Sequence, residues 1–351
     1  MQADAQQPYT PELRKDIITR EWAIIARGRS RRPTEVRPEP PPPPSQPGPC
    51  PFCPGNEGAS ETLLTIPDGP TGWRVRVVRN KYPALIAGAQ AQHTERGIYD
   101  AVSGTGSHEV VIESPEHWPD LWQMPVSQVA AVLDAYRQRF LQLREDPQLR
   151  YVLVFRNHGP GAGASVLHPH SQLIATPVVP HYIEAELDGI KHYWEYIERC
   201  PYCAIVEQEQ QSRERMVIEN ERFIAVAAFA GRYPFETWII PRRHESQFFN
   251  ISPEERDDFA AVLRELLGRL AGALNYPSYN YAIHTDVLQS AEQSSFHWHL
   301  EIFPRITTPG GFELGSDLYI NTTPPEDAAT ALREATIPAG PEGAGDGLVN
   351  R

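Results

Sequence analysis

The chain has 351 residues, of which 40% are hydrophobic and 22% are charged. This length and composition allow a sizeable core in one large or two ordinary globular domains. A formal net charge of −13 argues against a protein that coats nucleic acid. The first residues contain no apolar signal-peptide core, and no uninterrupted run of about 18 apolar residues occurs. We therefore expect a cytoplasmic protein without a membrane span.

In chain order, the first predicted element is a proline-rich strap at residues 37–49, which should be extended. A long amphipathic helix is predicted from Val126 to Arg144. Strands with alternating or continuous apolar residues are predicted at 73–78, 108–113 and 151–156. The segment LHPHSQL (167–173) is predicted to be a further strand, in which His168 and His170 point to the same side.

The second part of the chain repeats this plan, starting from CPYC at 200–203. Strands are predicted at 222–228, 237–241, 279–284 and 296–303, with a helix near 253–273. Because similar elements recur in the same order, we infer an internal duplication. The predicted fold is α+β, with two tandem halves at 1–180 and 181–351. Each half has an antiparallel sheet with flanking helices, and the two sheets are candidates for joining.

The four cysteines come as two CxxC pairs, Cys50 with Cys53 and Cys200 with Cys203. A disulfide framework is not expected from so few cysteines in a long chain, and the proline-rich approach to the first pair does not resemble a redox-active strand–helix turn. Metal binding is the favoured interpretation. Two cysteines and two distant histidines can close a tetrahedral zinc site that has no open position and serves the structure.

Histidines follow each pair at matching distances. The first predicted zinc site is Cys50, Cys53, His117 and His168, and the second is Cys200, Cys203, His244 and His297. The two histidines of each set lie 51 and 53 residues apart. The alternative is that His117 and His244 are ordinary surface histidines. The second site is predicted to hold zinc or iron.

His170 has no structural role in these sets and is the candidate nucleophile. The Gly-rich segment that precedes it, Arg156–Ser165, could let backbone N–H groups approach a phosphate, although a Gly-rich turn is often only a turn. A neutral imidazole attacks phosphorus and forms a phosphoramidate that can pass the group on. Gln172 can donate a hydrogen bond to a phosphoryl oxygen but cannot deliver a proton. This combination suits a leaving group such as a sugar phosphate.

The segment GAGASVLHPHSQ, with CPFC upstream and SPEH between them, resembles the galactose-1-phosphate uridylyltransferase family of the histidine-triad superfamily. The resemblance extends from about Thr19 to Ala329. It implies two histidine-triad-like halves and a ping-pong transfer of a nucleoside monophosphate from a nucleotide sugar to a hexose 1-phosphate. His170 would carry the covalent nucleotidyl group. The family is often dimeric, so a homodimer is expected.

The resemblance also implies roles for individual residues. His168 would bind zinc with Cys50, Cys53 and His117, and Gln172 would contact the phosphates in catalysis. Substrate contacts are implied for Asn80 (nucleoside) and for Arg29, Arg32, Asn157, Gly163 and Ser165 (phosphates). As an alternative, the cluster that contains Arg29 and Arg32 is a solvated basic loop. His299, which takes the place of His170 in the second half, is expected to be part of the scaffold because no Gly-rich loop precedes it.

The resemblance leaves the donor open. Uridylyl transfer between UDP-glucose and a hexose 1-phosphate is the first expectation. The CPYC pair and the segment GGFELGSDLYINTTPPEDAA look closer to ADP-glucose phosphorylase, which is the alternative. A histidine-triad hydrolase would be favoured by a histidine at the position of Gln172. A zinc-knuckle module for nucleic acid is disfavoured by the acidic balance and the lack of interleaved aromatic and basic residues.

Overall fold

The computed structural model describes residues 10–31, 50–68, 72–117, 120–290 and 294–339. The predicted proline-rich strap and Arg32 lie outside the described residues. No helix in these ranges is both long enough and apolar enough to cross a membrane.

The described ranges contain six α-helices and fifteen strands. The helices are α1 (Val126–Leu143), α2 (His181–Ile197), α3 (Pro201–Ser212), α4 (Pro253–Leu274), α5 (Gly311–Ser316) and α6 (Pro325–Glu334). The strands are β1 (Glu12–Lys15), β2 (Trp22–Ile25), β3 (Thr62–Asp68), β4 (Gly72–Arg79), β5 (His93–Arg96), β6 (Tyr99–Val102), β7 (Ser107–Ile112), β8 (Tyr151–His158), β9 (His170–Thr176), β10 (Met216–Glu219), β11 (Phe223–Ala227), β12 (Thr237–Pro241), β13 (Tyr279–His284), β14 (His299–Pro304) and β15 (Tyr319–Asn321).

Ten strands form one sheet in the order β10-β11-β12-β14-β13-β8-β9-β7-β4-β3. All the neighbouring pairs are antiparallel. The five strands from β3 to β8 and the five from β10 to β13 have the same order of connection, counted from the two edges of the sheet to its centre. The two sets meet where β8 pairs with β13. The α+β class with antiparallel sheets is confirmed, and the two predicted sheets are joined. The division into two halves at residue 180 stays a prediction, because the sheet is continuous across it.

Two long helices, α1 and α4, pack against each other on one face of this sheet. Helix α4 begins with a capping box, in which Ser252 and Glu255 each accept from the other's backbone N–H, and Pro253 occupies the first turn. The apolar faces of both helices and the facing strand residues form one continuous core. The opposite face of the sheet is therefore available for polar side chains in the first half.

Most predicted elements agree with the structure, but both histidine-containing strands begin later than expected. Strand β9 starts at His170, so His168 lies before it. Pro169 has no N–H to donate to a sheet ladder, although its carbonyl oxygen accepts from Glu113 N at 3.1 Å. Strand β14 likewise starts at His299. The prediction that His168 is part of the strand is therefore wrong, although the rings of His168 and His170 both lie beside Phe52, with centroids 6.0 and 5.4 Å away.

Side-chain alternation along β9 decides which residues reach the open face. Leu173 and Ala175 belong to the core beneath the helices. His170 and Gln172 therefore point to the other face. On the neighbouring strand β7 their cross-strand partners are Ile112 and Val110. The polar face that carries His170 and Gln172 is the candidate active site.

Candidate active site and metal centres

The first cysteine–histidine group is assembled from the turn before β3, the segment after β7 and the residue pair before β9. The Nδ1 atoms of His117 and His168 are 3.4 Å apart, and His168 Nδ1 is 3.7 Å from the Sγ atoms of both Cys50 and Cys53. Tetrahedral zinc with ordinary bond lengths separates two nitrogens by about 3.4 Å and a nitrogen from a sulfur by about 3.6 Å. Cys53 Sγ is closer than this to His117 Nδ1, at 3.1 Å, but the donor types and the other spacings of this group fit zinc.

The ring of His168 is oriented for metal binding through Nδ1. Its Nε2 lies 2.8 Å from the carbonyl oxygen of Ser114. A carbonyl oxygen can accept a hydrogen bond but cannot donate one. The proton is therefore on Nε2, and the Nδ1 lone pair faces the cysteines. Burial lowers the pKa of His168 to about 4. The ring is thus neutral at pH 7, which is the form that binds a metal.

The second group repeats this geometry. His297 Nδ1 lies 3.6 Å from the Sγ atoms of both Cys200 and Cys203, and Cys203 Sγ lies 3.6 Å from His244 Nδ1. His297 Nε2 lies 2.9 Å from the carbonyl oxygen of Pro241. Here the CxxC pair opens helix α3, for which Cys200 is the N-cap residue. The same fit to tetrahedral zinc follows.

His170, the predicted nucleophile, is held by the backbone of its neighbour. Its Nδ1 is 2.9 Å from the carbonyl oxygen of His168, so Nδ1 carries the proton and Nε2 keeps its lone pair. Burial lowers the pKa of His170, the hydrogen bond to His168 opposes this, and the charge of Arg156 lowers the pKa further. The ring of Phe52 lies beside it, with centroids 5.4 Å apart. A neutral, anchored imidazole with a free Nε2 can act as a nucleophile.

Gln172 and Asn80 lie close together on the open face, and a third residue joins them. The Nε2 atom of His108 is 2.9 Å from Gln172 Oε1 and 3.0 Å from Asn80 Nδ2. His108 lies on β7, two residues before Val110. Sequence reasoning missed His108, whose only signal was its alternation with the apolar residues of a predicted strand.

The other predicted phosphate contacts lie around the turn between β8 and β9. Asn157 on β8 accepts a hydrogen bond from Asn280 Nδ2 at 2.8 Å, and the same amide donates to the carbonyl oxygen of Ala162 at 2.9 Å. Gly163 has φ of 81° and is exposed, as is Ser165. Positive φ favours glycine at this turn. Asn280 thus fixes the Gly-rich turn to the sheet, which the sequence did not indicate.

Arg29 lies elsewhere. It lines a pocket of about 230 Å³ together with Arg232, Thr307 and Tyr319. Arg232 packs over Phe303 of β14, and β14 is separated from β9 by two intervening strands, which is on the order of 14 Å. The structure therefore does not bring Arg29 next to His170 within this chain.

A network of buried charged and polar side chains lies next to the strands that carry the site. Arg156 Nε donates to Glu113 at 3.0 Å, and Arg156 Nη1 lies 2.8 Å from Asp120. Tyr136 Oη donates to Ser171 Oγ at 2.5 Å. Ser171 is the residue between His170 and Gln172. Sequence reasoning missed this network, because its members are single polar residues within otherwise apolar segments.

A third group of possible metal ligands lies within the second half. It consists of Glu186 from α2, His284 from β13, and His299 and Glu301 from β14, whose ligand atoms all lie within 4.8 Å of one another. His284 Nδ1 is 2.9 Å from Glu186 Oε1, so this carboxylate already has a hydrogen-bond partner. His299 was expected to be scaffold, and it lies fully buried in this group.

Comparisons with known proteins identify the family of the chain. The family model described as galactose-1-phosphate uridyl transferase, N-terminal domain, matches residues 1–180. The chain belongs to the galactose-1-phosphate uridylyltransferase family. A model of a domain of unknown function (DUF4921) matches residues 122–338.

Several relatives match nearly the whole chain. An ADP-glucose phosphorylase of Arabidopsis thaliana is 39% identical over 95% of both proteins. A galactose-1-phosphate uridylyltransferase of Thermotoga maritima is 29% identical over 93% of this chain and 99% of its own length. A crystal structure of an Arabidopsis thaliana ADP-glucose phosphorylase with bound ADP-glucose superposes with a TM-score of 0.82, at 36% identity, covering 94% of this chain and 100% of that one.

These findings confirm the expected class of activity. The protein is a nucleotidyltransferase of this family, whose substrates are nucleotide sugars and sugar phosphates. Both expected donors remain compatible with the family.

Proposed function

We propose that the protein transfers the adenylyl group of ADP-glucose to inorganic phosphate through a covalent intermediate on His170. The single observation that carries the covalent step is the anchoring of His170 Nδ1 on the carbonyl oxygen of His168, which leaves Nε2 open. The choice of donor is supported by the greater identity to the ADP-glucose phosphorylase, 39% against 29% for the uridylyltransferase.

The reaction has two balanced steps. His170 Nε2 attacks the α-phosphorus of ADP-glucose, a nitrogen–phosphorus bond forms, and the bond to the oxygen of glucose 1-phosphate breaks. That leaving group departs as an anion and needs no proton, which fits an amide rather than an acid at Gln172. An oxygen of inorganic phosphate then attacks the same phosphorus and displaces His170, which yields ADP.

The two cysteine–histidine groups are proposed to hold zinc for structure. Bound at Cys50, Cys53, His117 and His168, zinc would supply a rigid anchor for the residue whose carbonyl oxygen holds His170. The second set, Cys200, Cys203, His244 and His297, is proposed to hold a second zinc, with iron as the alternative. Neither set offers an open coordination position to substrate, because all four positions are taken by protein donors.

Uridylyl transfer from UDP-glucose to a hexose 1-phosphate is the second candidate. It is favoured by the full-length match to the Thermotoga maritima uridylyltransferase. The covalent step on His170 is the same, and only the base and the acceptor differ.

The test is a donor panel without acceptor. The protein is incubated with ADP-glucose or UDP-glucose labelled at the α-phosphorus, and the labelled peptide is identified by mass spectrometry. We expect label on His170 from ADP-glucose, its loss in His170→Ala, and its retention in His181→Ala, a control at a histidine whose side chain is 97% exposed. Phosphate should then release the label as ADP.

The outcomes separate the candidates. Label from UDP-glucose alone, released by galactose 1-phosphate, would assign uridylyl transfer. Turnover without any label on His170 would refute the covalent mechanism.

The same proposal includes three expectations about the protein as a whole. We propose a homodimer, to be tested by analytical ultracentrifugation, and a cytoplasmic location, to be tested by fractionation of the source cells. Direct binding of nucleic acid is not expected, given the acidic balance of the chain. Asn80 is proposed to contact the nucleoside, and Asn157, Gly163 and Ser165 are proposed to contact the phosphates. Arg29, which this chain places apart from His170, and Arg32 are also proposed as phosphate contacts.

A further inference from the structure

His108 lies at the centre of the polar contacts on the open face. Its side chain is half-buried and reaches from β7 toward β9. Its Nε2 is 2.9 Å from Gln172 Oε1 and 3.0 Å from Asn80 Nδ2, and its Nδ1 is 3.1 Å from the backbone N of Ala84. One ring therefore touches a predicted catalytic residue, a predicted nucleoside contact and the backbone.

The backbone contact decides the tautomer. The N–H of Ala84 can only donate, so His108 Nδ1 must accept and carries no proton. In the neutral ring the proton is then on Nε2, which donates to Gln172 Oε1. A neutral imidazole offers one acceptor and one donor, so the ring has no lone pair left for the amide of Asn80.

The amide of Asn80 is oriented independently. Its Oδ1 accepts from the backbone N of Tyr82 at 2.9 Å, and its own backbone N donates to the carbonyl oxygen of His108 at 2.9 Å. Its Nδ2 must therefore point toward His108, although the ring cannot accept from it.

The orientation of Gln172 follows from the same hydrogen bond. A carboxamide has its oxygen and nitrogen on opposite sides, so holding Oε1 on His108 turns Nε2–H₂ away from His108. His170 and Gln172 share this face of β9, separated by one residue. The donor side of the amide is thus presented to the open face beside His170.

We propose that His108 is a positioning residue, which holds Gln172 by its oxygen so that the amide N–H groups face the phosphoryl group transferred to His170. This proposal rests on the proposed nucleotidyl transfer through His170. Preorganised donors lower a barrier because they need not reorient when charge develops. Without His108, the amide of Gln172 can rotate and present its oxygen to the phosphoryl oxygens, which repel it.

The test compares two substitutions of His108 in the zinc-loaded protein. The rate of His170 labelling is measured in single turnover with α-labelled ADP-glucose, or with UDP-glucose if that is the donor that labels the wild type. His108→Leu should slow labelling by about 10- to 100-fold, because removal of one aligned donor costs about 100- to 1,000-fold in related cases and here the donor is only misaligned. His108→Gln retains a terminal amide N–H near the position of Nε2 and should stay within about 10-fold of the wild type. His93→Leu, on the exposed strand β5, is the control and should label normally.

A double-mutant cycle separates positioning from a general structural role. If His108 acts through Gln172, then His108→Leu should add less than about 2-fold to the defect of Gln172→Ala. Metal content and the thermal unfolding midpoint should match the wild type in both His108 variants.

Three results would overturn the proposal: normal labelling of His108→Leu, multiplication of the two defects in the double variant, or loss of metal or folding in both His108 variants. Failure of the wild type to label His170 with either donor would instead refute the proposed function. Normal wild-type labelling with unaffected His108 variants would refute only the role of His108.

Discussion

Substitution of Arg156 by Met should destabilise the protein in a way that depends on pH. The guanidinium is fully buried, and it pairs with Glu113 at 3.0 Å and with Asp120 at 2.8 Å. Methionine matches the length of the chain but removes the charge. Glu113 would then lie fully buried with no cation, while Asp120 would keep His158 and the Oη of Tyr279.

The magnitude follows from the cost of leaving a buried charge uncompensated. Removal of one partner of a buried ion pair costs about 3–5 kcal/mol, and we expect a loss in this range at pH 8. Burial already raises the pKa of Glu113, against the opposing charge of Arg156. Burial alone would also raise the pKa of Asp120, but His158 and Arg156 hold it below its ordinary value. Loss of Arg156 must therefore raise both pKa values.

The sign of the pH dependence is determined by where the proton binds. With a pKa above its unfolded value, Glu113 of the folded variant binds a proton more tightly than it does in the unfolded chain, so stability falls as the pH rises from the unfolded pKa through the folded one. At Asp120 the substitution instead reduces the stability that a lowered pKa contributes above the unfolded pKa. Each affected carboxyl changes the free energy of unfolding by about 1.4 kcal/mol per pH unit within that window. The deficit relative to the wild type should thus be smallest near pH 5 and largest near pH 8.

Urea unfolding followed by tryptophan fluorescence at several pH values measures this deficit, with zinc content determined in parallel. Arg222→Met is the control, because Arg222 pairs with Asp258 at the surface and should give no comparable pH dependence. A deficit that is the same at pH 5 and pH 8, or smaller than about 1 kcal/mol throughout, would refute the reasoning.

The remaining predictions concern other parts of the same framework. Cys50→Ser should remove about one equivalent of metal, measured by mass spectrometry of the metal, and lower the thermal midpoint, while the second group keeps its metal. Tyr136→Phe should cost about 1–3 kcal/mol in urea unfolding, because it leaves the buried hydroxyl of Ser171 without its donor. Gly189→Ala should destabilise the docking of the turn between the antiparallel strands β1 and β2. The new Cβ would collide with the carbonyl oxygen of Ile18, and limited proteolysis near residue 18 should accelerate. Unchanged values in any of these assays would contradict the corresponding contact.

The sequence was sufficient for elements whose signal is local. The predicted helix from Val126 to Arg144 ends one residue earlier in the structure, and the strand predicted at 279–284 is found there. In the first case a proline precedes an apolar stripe of helical period, and in the second apolar residues alternate. The spacing of CxxC and histidine predicted two groups of four donors, and the structure brings each group together. These candidate metal ligands were predictable because metal chemistry restricts both the residue types and their number.

The rest of the site depends on contacts between distant segments. Asn280 lies 123 residues from Asn157, with which it pairs, and His108 lies 64 residues from Gln172. Neither Asn280 nor His108 has a residue type or sequence spacing from which its contact could be predicted. The placement of Arg29 in a separate pocket is of the same kind, since it follows from the strand order of the sheet rather than from local sequence.

The two His-x-His motifs show why duplicated sequence need not give duplicated chemistry. His299 is held as His170 is, with Nδ1 3.1 Å from the carbonyl oxygen of the histidine two residues before it. Its surroundings differ, because Nε2 lies 3.7 Å from carboxylate oxygens of both Glu186 and Glu301. Burial alone would lower the pKa of His299, but the two nearby carboxylates raise it to about 10.

The same backbone anchor therefore has opposite consequences in the two halves. At pH 7 His299 is positively charged in the described side-chain arrangement, so its Nε2 has no lone pair for attack. Tyr202 also stacks on the ring, with centroids 4.4 Å apart, which closes the approach. The carboxylate of Glu186 comes from α2, the helix that follows β9 and begins directly after the first half. A carboxylate from one helix thus holds a potential nucleophile in a buried ion pair, which supports the proposal that the open face of the first half carries the chemistry.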